Sequence, residues 1–170
     1  FYAPLVITGL HHMFLAVDFQ LMGSSLKGTY LWPIVAISNI CQGSAAFGAW
    51  FIYKRRKMAK EEGLALTSSV SAFLGVTEPA MFGVNLPLKV PFFAAICTSG
   101  ILGAIIGANR VLGNVGVGGV PAFISIQSKY WYIYIPVILL AVVLPAVLTV
   151  IFSKFTKIKA KEMVGNPDIK

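Results

Sequence analysis

The sequence predicts an all-α membrane protein, built of several transmembrane helices with re-entrant hairpins between them. Three observations predict this. Only 12% of the 170 residues are charged and 57% are hydrophobic, where a soluble domain carries about 25% charge. Mean hydropathy is +0.80. The long apolar runs end in cationic clusters or aromatic belts, the usual flanks of a membrane span.

Tyr2 to Met22 is long enough to span, with His11, His12 and Asp18 embedded in it. Gly23 to Gly28 is a short polar turn. Thr29 to Tyr53 is a second span, and Lys54-Arg55-Arg56-Lys57 fixes its end in the cytoplasm. Met58 to Gly63 is read as a charged loop. Leu64 to Leu86 carries Thr67, Ser68, Ser69 and Ser71 and is broken by Gly75 and Pro79, so a re-entrant hairpin is expected. Pro91 to Ala108 is a third span. Val111 to Gln127 holds Gly113, Gly116, Gly118, Gly119 and Pro121 and is too broken for a regular helix. Tyr130 to Phe152 is the final span, with Tyr130, Trp131, Tyr132 and Tyr134 as an aromatic belt at one end and lysines at the other.

Parity tests this topology. Both lysine-rich clusters belong on one face. Pro91–Ala108 and Tyr130–Phe152 satisfy that only if the two irregular segments dip in and return. The Glu78 segment then enters from the cytoplasmic side, and the glycine-rich segment lies toward the opposite face. Paired broken segments of this kind line transporter binding sites. Residues 1–158 are read as one membrane unit and residues 159–170 as a polar cytoplasmic tail or linker. The chain opens on Phe1 inside an apolar run and is expected to be part of a longer protein.

The net charge is +8, but the cations gather in two juxtamembrane clusters, Lys54–Lys57 with Lys60, and Lys154, Lys157, Lys159 and Lys161. They read as topology signals, and no nucleic-acid partner is expected. Cys41 and Cys97 show neither metal nor redox spacing and are expected to be buried small hydrophobes. No metal cluster or hydrolase triad is evident. Gly113 to Gly119 lacks the strand and helix that a nucleotide loop requires.

Among the polar residues, Glu78 has the strongest functional case. An intramembrane acid costs about 2.5–3.5 kcal/mol and normally faces a cavity. In a dry site it can accept hydrogen bonds from hydroxyls or take a proton from one. The bland alternative is an ion pair with Lys89 or Arg110. Pro79 biases Glu78 away from helix. His11 and Asp18 fall on one face of a continuous helix, as a polar pathway or as a helix–helix contact, and His12 faces elsewhere. Asn39 and Gln42 share a face and could bind sugar hydroxyls or join helices. Asn85 borders the Glu78 segment. Ser44/Gly48 and Gly103/Gly107 have the spacing of close helix contacts.

Gly75-Val76-Thr77-Glu78-Pro79 resembles the G-[IV]-T-E-P signature of the enzyme IIC permeases of the bacterial sugar phosphotransferase system, glucose superfamily. Gly9-Leu10-His11-His12 is similar to that family's G-L-H-[HW] motif. Trp32-Pro33, Ser38-Asn39-Ile40, Gln42-Gly43-Ser44-Ala45-Ala46 and Gly116-Val117-Gly118-Gly119-Val120-Pro121 resemble its sucrose, trehalose and β-glucoside branch. Phe1 to Thr8 does so too, with a lean to sucrose.

The resemblance runs in order along the whole chain and matches the C-terminal half of an enzyme IIC. It implies a homodimeric permease of the bacterial inner membrane that moves a disaccharide, sucrose before trehalose, by an elevator-like displacement. The sugar is phosphorylated from a phosphocysteine on a IIB domain, itself charged from IIA and ultimately from phosphoenolpyruvate. No bound cofactor is implied. Glu78 and His11 are the implied catalytic residues, and Glu78, His11, Thr77, Asn85, Asn39 and Gln42 the implied sugar contacts. The C-x-T-R motif of IIB and the N-terminal half of IIC are absent from these 170 residues, so Cys41 and Cys97 are not phosphocysteine candidates and this segment alone is not expected to transport. On physical grounds the alternative is an ion- or proton-coupled sugar transporter without phosphotransfer.

Overall fold

A computed structural model describes residues 2–10, 13–23, 28–114, 116 and 118–155. Among them the chain forms α1 (Tyr2–Ile7), α2 (Met13–Gly23), α3 (Leu31–Arg55), α4 (Ala59–Phe73), the short helix α5 (Glu78–Ala80), a π-helical turn Met81–Asn85, α6 (Leu86–Leu88), α7 (Val90–Ala108) and α8 (Trp131–Phe155). Short 3-10 turns at Val120–Ser125 and Ser128–Tyr130 connect the last two helices. No strand occurs among the described residues, only isolated bridges from Gly113 to Thr29 and Ile126.

Three helices, α3, α7 and α8, are long and apolar enough to cross a bilayer. They sit where the apolar runs place them. α3 is the central one: 78% of its most apolar stretch is buried, against 28% for α8. α8 therefore leaves Leu139, Val143 and Val147 exposed on its outer side. Ile37, Ile40 and Cys41 of α3 pack with Leu102 and Ile106 of α7 and with Tyr134, Val137 and Ala141 of α8.

Between α3 and α7 lies the expected re-entrant hairpin. α4 has 15 residues and reaches about 22 Å, short of the roughly 30 Å hydrocarbon core. The chain turns at Leu74–Thr77 and returns through α5, the π-turn and α6. Leu88, near the end of the return, packs with Tyr53 and Met58, so the hairpin enters and leaves beside the basic end of α3. Lys154 of α8 lines a recess together with Arg55 and Arg56. Lys154, the described member of the second basic cluster, thus lies on the same face as the first, as parity requires. At the opposite end, Thr29 and Gly113 exchange backbone hydrogen bonds of 2.8 and 3.1 Å.

Small residues set the helix spacing. A Cβ at Gly48 would lie 2.8 Å from the Ala146 carbonyl oxygen. The neighbouring Ser44 hydroxyl donates to Val142 O at 2.5 Å and accepts from Ala146 N–H at 3.1 Å. Pro145 disturbs this turn of α8, and Ser44 satisfies both backbone groups across it. Gly103 approaches Ile34 in the same way.

Four expectations are corrected. Tyr2–Met22 is not one span: α1 ends at Ile7, Gly9 takes φ +75°, and α2 starts at Met13. The shared face read for His11 and Asp18 rested on that unbroken helix, and His11 lies outside the described residues. Asp18 is buried, accepting a hydrogen bond from the Thr29 hydroxyl. Met58–Gly63 is largely the first turns of α4, because Ala59, Lys60, Glu61 and Glu62 favour helix and the two acids suit its N-terminus. Tyr134 is not part of the belt: it turns inward and donates to Pro33 O at 3.2 Å, while Tyr132 faces out. Cys41 is buried, but Cys97 lies on the exposed face of α7.

Gly48→Ala forces α3 from α8, whereas a Cβ at Gly63 meets nothing within 4 Å. Thermal melts of the full-length protein in detergent should show Gly48→Ala lowered and Gly63→Ala unchanged or raised by up to about 1 kcal/mol, the glycine-to-alanine gain in an open helix. Equal melts for both variants would contradict the close contact.

Candidate functional site

The site is the tip of the hairpin. Gly75 adopts φ +107° and Gly119 φ +66°, conformations that only glycine holds without strain. A Cβ at Gly119 would lie 2.1 Å from the Phe73 carbonyl oxygen, and one at Gly75 would lie 2.8 Å from the Gly118 Cα. The two broken segments therefore touch backbone to backbone. The Ser71 hydroxyl donates to Val76 O at 3.0 Å and closes the turn from inside.

Glu78 opens the returning helix, with Thr77 as its N-cap and Pro79 in its first turn. The expectation that Pro79 keeps Glu78 out of helix is overturned, because proline is well tolerated in a first turn, where its missing N–H has no helical partner. Thr77 is buried and Glu78 is exposed. Among the described residues no ion pair joins Glu78 to Lys89 or Arg110. Glu78 stands on the hairpin's outer surface beside Pro79 and the exposed Phe82, and nothing described encloses it in the dry cavity that sequence reasoning expected.

The amides lie on the opposite, inner side. Asn39 Nδ2 donates to Gly75 O at 3.5 Å, a long contact that locates the tip about 12 Å along α3. Asn85 Nδ2 reaches both Gln42 O, at 2.9 Å, and Gln42 Oε1, at 2.7 Å. All three amides are buried, and Gln42 Nε2 and Asn85 Oδ1 have no partner among the described atoms. Of the six candidate site residues, Asn39, Gln42 and Asn85 gather between α3 and the hairpin. Thr77 is buried at the tip, Glu78 is exposed and bonds to none of them, and His11 lies outside the described residues.

Ser69, which donates to Gly43 O at 2.8 Å, and Ser71 were not singled out as site residues. Their signal was their position, six and four residues ahead of Gly75, on a largely apolar segment. The π-turn at Met81–Asn85 had no clear signal; its wide turn brings Asn85 against Gln42. A recess of about 440 Å³ lies at the hairpin's basic end, lined by Tyr53, Lys60, Glu61, Leu64 and Val84 among others. No group of acids, histidines and cysteines among the described residues could hold a metal.

Among the described residues, three helices long and apolar enough to span and a docked re-entrant hairpin define a membrane domain with an acid at the hairpin tip. The chain belongs to the phosphotransferase system EIIC family, whose family model matches residues 1–100. It is 51% identical over 91% of its length to the PTS system trehalose-specific EIIBC component of Bacillus subtilis (strain 168), covering 33% of that protein. It is 46% identical over 87% of its length to the trehalose-specific EIIBC component of Escherichia coli (strain K12), covering 31%. It is 50% identical over 78% of its length to the sucrose-specific EIIBC component of Staphylococcus xylosus, covering 28%. The chain thus spans about a third of the curated relatives it matches. No solved structure matches it. It is an integral protein of the bacterial inner membrane.

The Gln42–Asn85 contact makes a sharp prediction. A double-mutant cycle with Gln42→Ala and Asn85→Ala in the full-length protein should give a coupling of about 0.5–3 kcal/mol, the range for residues in one hydrogen-bond network. Reversible detergent unfolding measures it. A coupling of zero would mean that the two amides do not hold the hairpin to α3.

Proposed function

We propose that this chain is the C-terminal, sugar-handling half of an enzyme IIC, with residues 1–158 in the membrane unit and 159–170 a cytoplasmic tail or linker. The full-length permease takes a disaccharide from outside, moves it across the membrane and releases it phosphorylated. The carrying observation is an acid exposed on the tip of a re-entrant hairpin whose backbone is locked against a second broken segment. Two relatives named for trehalose and one named for sucrose support a disaccharide.

Glu78 accepts a hydrogen bond from the acceptor hydroxyl and takes its proton as the hydroxyl oxygen attacks phosphorus. The S–P bond of the IIB phosphocysteine breaks, and the thiolate leaves. His11 orients the sugar. Thr77 borders the acid, and Asn39, Gln42 and Asn85 act on the sugar side only where the hairpin opens from α3, since here they bond to one another and to backbone. No bound cofactor is required. IIB and IIA serve as phosphoryl carriers, in line with relatives named EIIBC and EIIBCA. The remaining part of the permease covers the outer face of Glu78 and forms the homodimer. The basic face of the membrane domain receives the acidic or phosphorylated partner.

The test uses the full-length protein in vesicles with the soluble phosphotransfer components and labelled sucrose or trehalose supplied separately. Sugar phosphate should appear inside only with phosphoenolpyruvate, and the sugar that does so names the substrate. Uptake of unmodified sugar that collapses with an ion gradient would overturn the reading. Glu78→Gln should lower phosphorylation by about 10²–10⁴-fold, the range for a lost general base, and leave the protein folded. Unchanged turnover would remove Glu78 from the chemistry.

A further inference from the structure

At the basic face, Arg55, Arg56, Ser153 and Lys154 line a recess of about 470 Å³ between the ends of α3 and α8. Deeper along the same two helices runs a groove of about 240 Å³, lined by Phe47, Gly48, Phe51, Ala146, Val150 and Ile151 among others, with no polar surface. The two cavities share Phe51 and Val150 and therefore adjoin along the α3–α8 seam. The cause of the groove is visible: Gly48 and Ala146 have almost no side chain where the helices are closest, and Phe47, Phe51, Val147 and Ile151 stand up around them, each more than a third exposed. Arg55 lies over the Phe51 ring at 4.4 Å, which fixes its guanidinium above the mouth of the groove.

We propose that this composite cavity is a binding site for one anionic phospholipid of the cytoplasmic leaflet. The headgroup phosphate sits between Arg55 and Lys154, and one acyl chain lies in the groove. The observations favour a lipid over a free anion or a protein segment. The cations stand where the leaflet's phosphates lie, at the end of two spanning helices. The part below them is wholly apolar, where a soluble phosphate cannot follow. The recess is lined by three cations and no acid, which matches a net-negative headgroup and disfavours a zwitterionic one. The site is separate from the hairpin tip: neither cavity is lined by α4, α5 or the π-turn. Its occupation would brace α3 against α8 on the side away from the hairpin.

Native mass spectrometry of the full-length protein, titrated with phosphatidylglycerol or phosphatidylcholine of equal chain length, tests this. One phosphatidylglycerol should be retained in clear preference to phosphatidylcholine. Arg55→Gln with Lys154→Gln should weaken its retention by about 30-fold, at roughly fivefold per cation near the membrane surface, and abolish the preference. Arg55→Lys with Lys154→Arg should keep it. Val147→Trp, which fills the groove's edge without touching charge, should weaken both lipids. Millimolar glycerol phosphate should not displace the bound lipid. Three results would each overturn the proposal: equal retention by the wild type and the glutamine variant, displacement by glycerol phosphate alone, or no effect of Val147→Trp. The first would mean that another part of the chain covers this face, and the second that only an anion binds there.

Discussion

Everything in this structure depends on the middle of α3 serving two neighbours at once. Hydrocarbon offers no hydrogen bonds, so every break in a helix at membrane depth must be repaired by protein. α3 makes the repairs on both sides. At about 100° per residue, Asn39, Gln42 and Gly43 share one side of the helix, and Ser44 and Gly48 lie on the other. The first side takes the hairpin through Gly75 O, Asn85 and the Ser69 hydroxyl. The second takes α8 at its proline-disturbed turn through Ser44. This explains why so polar a run as Ser38-Asn39-Ile40-Cys41-Gln42-Gly43-Ser44 occurs in the most buried span of the chain.

The tip obeys the same constraint without side chains. Gly75 and Gly119 turn with positive φ and bring the chain within backbone contact of itself. A larger residue at either position would separate the segments by more than a hydrogen bond can tolerate. The position of Glu78 is thus set three residues away, by glycine geometry, and not by any bond of its own carboxylate. That suits a group whose charge must be available to a ligand. An acid held by its own ion pair would have to break it first.

Much of this was legible in the sequence, because the strongest signals are those that membranes impose. Three apolar runs became α3, α7 and α8 with ends shifted by a few residues, and the parity of the basic clusters required the hairpin that is seen. Small residues at fourfold spacing marked the α3–α8 and α3–α7 contacts. The failures have a common cause: hydropathy is blind to direction. Tyr134 counts as one more belt aromatic until the turn of α8 points it at Pro33, and Cys97 counts as one more apolar residue until α7 turns it outward. Tyr2–Met22 is long and largely apolar despite His11, His12 and Asp18, so hydropathy alone marked no break near Gly9. The dry cavity expected around Glu78 is not seen, because burial of an acid depends on what surrounds it in space, which a run of residues does not encode.

The arrangement of the hairpin's bonds bears on how such a site can work. Its described side-chain hydrogen bonds to other elements all run to α3. Its outer surface, with Glu78, Pro79 and Phe82, makes none. One wall of the site is therefore rigid and belongs to the same packed body as α3, α7 and α8. A sugar bound at Glu78 would be gripped by that body and could travel with it as a unit, provided the opposing wall belongs to a different one. The fastening of the hairpin to α3 then has a mechanical meaning. It ties the acid to the element that also carries the α8 contact, so that a displacement of the bundle displaces the acid with it and does not distort the tip.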